Sequence, residues 1–201
     1  MATCTRPAAL SNVSKQDCPI DFKQIQRIIL QRLGFKFATE AEMKTLAAWT
    51  PLLAAADSTK VVLSPFTTGF VIPPSEPTFI NENDNNSLNG MGKFTGLNSV
   101  KPTGRFVGLE SAIWEQMQQF STESDAALGV ERLGAYLLNQ DGAILHNDLG
   151  PIPLANFYVA DPGSEGFRAE TIIPFGFSLK GGWYKGVQLL QPSFNPLVDL
   201  D

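Results

Sequence analysis

The chain has 201 residues, 43% of them hydrophobic and 17% charged, a composition that suits one globular domain with a full core and excludes a disordered chain. Its net charge of −5 excludes a general nucleic-acid binder, whose phosphate contacts require clustered Lys and Arg. Seventeen Gly and fourteen Pro, scattered without period, mark many turns and favour a β-rich domain of short strands.

Residues 1–20 read as an extended N-terminal arm, and residues 21–201 as a single β-rich domain. The arm carries both cysteines, Cys4 and Cys18, with Pro7 and Pro19. It has no charged stretch leading into an apolar run, and every apolar run of the chain is far shorter than a membrane span, so neither a secretory signal nor a membrane partner is expected. Synthesis in a reducing cytoplasm then leaves two free thiols, with a Cys4–Cys18 disulfide open for a particle that leaves the cell. Two cysteines and one distant His fall short of the four ligands of a structural zinc site.

Residues 22–33 fit two patterns. Phe22, Ile25, Ile29 and Leu33 make a helical stripe behind an Asp21–Gln24 imitation of a capping box, while Ile25, Ile28 and Ile29 supply the β-branched cluster of a strand. Thr39 followed by Glu42 is a better capping box and opens a short helix to Trp49. Thr50-Pro51 then restarts a turn, with Pro at a first helical position. Residues 60–64 and 69–72 read as strands, kept short by Pro65, Pro73, Pro74 and Pro77. A polar stretch follows, residues 80–94, in which Asn83, Asp84, Asn85 and Asn86 precede Leu88, Met91 and Phe94. A compact domain rarely keeps so long a loop unless something binds through it.

Beyond the loop, residues 101–107 have strand character. Residues 109–120 make the clearest helix, with Leu109, Ile113, Met117 and Phe120 on one face and Ala112 beside them. Residues 131–139 and 143–146 form a hairpin with Asp141-Gly142 at its tip. Two more strands, 152–159 and 169–179, and a docked extended tail, 183–200, complete a reading of one strong helix, one or two short ones and about seven strands.

The residues give little support to catalysis. His146, at a strand end, is the single His and is expected at the surface. No Gly-x-Ser-x-Gly elbow and no phosphate-binding Gly-x-x-x-x-Gly-Lys-Ser/Thr loop occurs. Glu110 and Glu115 flank Trp114 but diverge on a helix, which disqualifies them as a glycosidase pair. Residues 83–87 lack the alternating ligands, Gly and terminal Glu of a calcium loop and suit turns instead. Trp49, Trp114 and Trp183, with fourteen Phe, belong to a core or an interface. No enzyme activity, cofactor or metal is expected. Charge is uneven along the chain: residues 1–105 carry 11 Lys/Arg and 8 Asp/Glu, and residues 106–201 carry 4 and 12. Such a split steers like subunits head to tail, or else divides between two solvated faces.

Taken in order, the Pro-bounded strands of residues 60–72, the loop 80–94, the helix 109–120 and the hairpin 131–146 resemble a phage tail-tube protein. Residues 47–60 and 192–197 also resemble virion structural proteins from phages of the Bacteroidetes group. The resemblance implies a mostly β, α+β fold: a β-sandwich or barrel-like sheet with one main flanking helix and a long inter-subunit loop, and it favours the strand reading of residues 22–33. It implies self-assembly into stacked rings, commonly hexameric, with other virion proteins as partners and DNA passing through an acidic lumen without specific binding. Asn83, Asp84, Asn85, Asn86, Leu88, Met91 and Phe94 are then the candidate subunit contacts. A capsid decoration protein, a head–tail connector and a carbohydrate-binding module remain alternatives. The N-terminal arm with its two cysteines has no place in the family pattern.

Overall fold

Residues Ile25–Arg32 form a strand, β1, in which Ile28, Ile29 and Leu30 are buried in succession. Burial at consecutive positions is what a strand covered on both faces produces. The computed structural model describes residues 20, 22–86, 88–126, 132–164, 166 and 170–201, so both cysteines and all of the expected arm except Ile20 lie outside the described residues. The antiparallel neighbour of β1 is β7 (Leu133–Asn139), buried at every position. Beyond β1 lies β2 (Val62–Leu63). Beyond β7 lie β8 (Ile144–Asn147) and β13 (Val187–Leu190), and β9 (Ile152–Pro153) also pairs with β7. A second antiparallel sheet runs in the order β10 (Ala155–Val159), β12 (Thr171–Ser178), β6 (Thr103–Val107), β3 (Thr67–Val71), with β11 (Gly163–Ser164) added to β12. Strands β4 (Pro77–Ile80) and β5 (Lys93–Leu97) pair only with each other. The helices are α1 (Glu40–Met43), α2 (Leu46–Ala54) and α3 (Ser111–Ala126). The fold is mostly β, of the α+β class, as expected from the sequence.

The sheet containing β1 is the middle of three layers. One face, with Ile28, Leu30, Leu133, Ala135, Leu137 and Leu145, packs on the inward side of the second sheet, where Phe106, Phe157, Phe175 and Phe177 lie. The rings of Phe106 and Phe175 stack at 4.2 Å, and Gly104 leaves the space the Phe175 ring fills, since a Cβ there would come within 2.7 Å of it. The other face, with Ile29, Tyr136, Leu138 and Ile144, packs on Phe37, Met43, Trp49 and the tail residues Leu197 and Leu200. A bulge between Ile25 and Arg27 moves Ile25 onto the same face as Ile28.

The helices correct three details of the sequence reading. The Thr39–Glu42 capping box is present, with Glu42 N donating to Thr39 Oγ1 at 3.1 Å, but α1 stops at Met43. The carbonyls that would continue it are taken: Met43 O accepts from the Trp49 indole at 2.9 Å, and Lys44 O from the Ser193 amide and hydroxyl at 3.0 and 2.8 Å. The break therefore falls before Thr45, and α2 runs through Pro51, which sits in its interior and not at its start. On α3, Met117 is buried as expected while Ile113 is exposed. Trp114 turns inward in its place, because its indole N–H donates to Ala160 O at 3.0 Å. With Gln118 Nε2 donating to Val159 O at 2.7 Å, α3 covers the outer edge of β10. Among the described residues no helix is long and apolar enough to cross a membrane.

Arg27 fastens the C-terminus to the middle sheet. Its buried guanidinium donates to Ser64 O at 2.9 Å and Leu197 O at 3.1 Å, lies 4.6 Å from the Phe66 ring centre and meets the Asp201 carboxylate at 2.7 Å. The two carbonyls matter more than the carboxylate, because Asp201 is 60% exposed and its attraction is screened. Arg27→Ala is expected to lower unfolding free energy by about 2–4 kcal/mol through two unsatisfied carbonyls and lost packing, whereas Asp201→Asn changes it by less than about 1 kcal/mol. Equilibrium denaturation of the two variants checks this, and equal losses would reverse the ranking.

Candidate interaction hairpin

The polar stretch 80–94 is shorter as a loop than the sequence indicates. Its end residues Ile80 and Phe94 belong to β4 and β5, and the turn between the strands spans residues 81–92. The turn is built by its asparagines. Asn81, Asn83 and Asn89 all have φ near +57°, a left-handed conformation that Asn tolerates well. Asn83 N donates to Gly90 O at 2.9 Å, and Asn86 N to Asp84 Oδ1 at 3.1 Å. A one-turn 3-10 helix, Leu88–Gly90, closes the return; the Leu88 side chain lies outside the described residues.

The two legs of the hairpin are tied to each other at the root, and the residues that follow join the body. Asn98 N donates to Glu76 O at 2.8 Å, the Ser75 hydroxyl to Asn98 O at 2.7 Å and the Thr78 hydroxyl to Asn98 Oδ1 at 2.7 Å. Next to them, Val100 and Leu179 exchange backbone hydrogen bonds at 2.9 and 2.7 Å. Gly181 allows Leu97 to approach: a Cβ at residue 181 would overlap the Leu97 carbonyl.

Register places Pro77 opposite Leu97 and Phe79 opposite Phe94, so these four share one face of the ribbon. Among the described residues that face is left about half exposed. Phe79 is 44% exposed, Phe94 56% and Leu97 45%, and Met91 at the turn is 66% exposed. The Phe79 and Phe94 rings meet edge to face at 5.9 Å. Of the candidate contacts, Asn83, Asp84, Asn85 and Asn86 form the outer turn, Met91 is exposed in the turn and Phe94 lies on the apolar face. Phe79 and Leu97 belong to the same surface and were missed. Their signal was the alternation in Pro77-Thr-Phe-Ile80, read as a boundary set by Pro and not as a strand.

The remaining candidates disperse. His146 is buried, not superficial, because β8 is an interior strand of the middle sheet. Its Nδ1 accepts from Leu149 N at 3.3 Å, so the ring is held neutral with its proton on Nε2. Burial pushes its pKa below the ordinary 6.5, with Glu40 and Asp148 opposing. Glu110 and Glu115 are both exposed, Glu115 on α3 and Glu110 just before it. Among the described residues no group of three acidic, His or Cys side chains is placed to hold a metal ion.

Part of the charge split is met within the chain. Four ion pairs among the described residues, Lys23–Asp141, Arg27–Asp201, Arg32–Glu123 and Lys36–Asp148, each join a cation of residues 1–105 to a carboxylate of residues 106–201. The two halves interleave in both large sheets, as the pairings of β1 with β7 and of β6 with β12 require. Comparison with models of known protein families, with curated proteins and with solved structures finds no match to this chain.

Because the folded protein favours neutral His146, the unfolded chain binds more protons just below pH 6.5. The contribution of His146 to stability is therefore full above pH 6.5 and is lost as pH falls through the lower folded value. His146→Gln is expected to flatten the decline in stability between about pH 7 and pH 5 relative to the parent chain. Urea midpoints at the two pH values measure it, and parallel declines would contradict the assignment.

Proposed function

We propose that this chain is a structural subunit of a virion that works by self-assembly, most simply as a tail-tube protein whose rings stack around a channel for DNA. The observation that carries the reading is the bare apolar face of the β4–β5 ribbon. A two-stranded ribbon is marginally stable alone in water, and this one holds two Phe, a Leu and a Met half in solvent on a rigid root. A contiguous apolar surface on a projecting element marks an interaction site. A second copy of the chain is the simplest partner, because the two-sheet body also offers sheet edges at β2 and β3 that neighbouring subunits can cover. Both faces of the middle sheet are filled by packed apolar side chains, so the exposed ribbon is the surface that supports this reading.

Magnitude limits what the ribbon does alone. Burying four half-exposed side chains is worth roughly 3–5 kcal/mol, no more than the lower end of the roughly 4–15 kcal/mol that association costs. One such contact gives a weak pair, and stable assembly requires further contacts or ring closure.

Phe79→Asp combined with Phe94→Asp is expected to leave far-ultraviolet circular dichroism and the thermal midpoint nearly unchanged while abolishing higher assemblies in sedimentation velocity and negative-stain images. A parent chain that stays monomeric at high concentration, or a double variant that assembles normally, would count against the reading.

A further inference from the structure

We propose that the acidic turn of one copy's hairpin docks in a basic cleft at the hairpin root of a neighbouring copy. The inference rests on the assembly reading and names the receiving surface. The cleft has two adjoining lobes of about 290 and 440 Å³, which share Pro153 and Lys180. Lys101 and Arg132 line the first lobe, Lys180 both, and Lys185 the second, with Trp183 as its aromatic wall. Among the described residues no acidic side chain lines the cleft, and none of the four cations makes an ion pair with one.

This concentration is unusual for the chain. Residues 106–201 contain only four basic residues, Arg132, Arg168, Lys180 and Lys185, against twelve acidic ones. Three of those four line the cleft, while Lys23, Arg27, Arg32 and Lys36 of the first half are paired with carboxylates across the fold. The like charges are held together by the same frame that fixes the hairpin: Ser99 and Lys101 follow β5, and Lys180 and Gly181 follow Leu179, the partner of Val100.

The occupant follows from charge and geometry. The turn 81–92 carries Glu82 and Asp84 and no basic residue. It lies at the far end of the ribbon from the cleft, so a ribbon cannot fold back into its own root. A turn entering the cleft of the next copy makes a heterologous contact, which repeats to give a closed ring or an open filament. Desolvating carboxylates against unpaired ammonium groups adds the attraction and the register that the apolar face lacks.

Two full-length charge-reversed variants test this. One carries Glu82→Lys and Asp84→Lys, the other Lys180→Glu and Lys185→Glu. Each alone is expected to weaken assembly at least tenfold in sedimentation equilibrium, and an equimolar mixture to restore it, because reversed turn meets reversed cleft. Added salt is expected to weaken parent assembly. Normal assembly of the cleft variant, with assembly still lost in the Phe79→Asp and Phe94→Asp variant, would overturn the inference and leave the assembly reading standing. A monomeric parent chain would overturn both. Binding of a single-stranded oligonucleotide that is lost in the cleft variant, with assembly intact, would overturn the inference in favour of a nucleic-acid site.

Discussion

Burial of the β1–β7 pair on both faces is the constraint from which the rest of the architecture follows. A strand pair covered on one side alone would leave either the row Ile28, Leu30, Leu137 or the row Ile29, Tyr136, Leu138 in water. Covering both rows requires two further layers: the Phe-rich second sheet on one side, and α1, α2 and the C-terminal tail on the other. Because those layers come from distant parts of the chain, the fold interleaves N- and C-terminal halves throughout. Polar groups that fall inside are satisfied. Tyr136 donates to Gln31 Oε1 at 2.9 Å, and Gln31 Nε2 donates to Thr59 O at 2.7 Å, so the middle sheet loses little by carrying them.

That interleaving also decides what the charge split means. Along the sequence it looks like a dipole between two halves, suited to steering subunits. In the fold the halves are not separate bodies, and long-range ion pairs join cations of one to carboxylates of the other. Most of these pairs are exposed and weak, so they mark the interleaving of the two halves more than they stabilise it. The remaining asymmetry is local, acidic at the hairpin turn and basic at its root.

The fold class was legible because it rests on short-range signals, Pro and Gly spacing and the Asp141-Gly142 turn, while residues 22–33 fitted a helix as well as a strand. What escaped depended on neighbours distant in sequence. His146 looks like a surface residue until β13 pairs outside β8 and α1 lies above it. The break before Thr45 depends on Ser193, about 150 residues away, and the inward turn of Trp114 depends on a carbonyl at Ala160. The candidate surface was half legible. The Asn cluster marked the turn, but the apolar face was hidden, because Phe79 and Phe94 become neighbours only when the strands pair.

A polar turn and an apolar ribbon face place opposite demands on a free subunit. The turn keeps the element soluble, while Phe79, Phe94, Leu97 and Met91 penalise leaving it free. The root joins the body through the Val100–Leu179 bridge and the close approach of Gly181 to Leu97, and in that position those side chains stay about half exposed. Small gain per contact and a fixed direction of projection together favour many equivalent weak contacts over one strong one. On the assembly reading proposed above, weak contacts of this kind hold only when several form at once, and closure of the array then adds cooperativity.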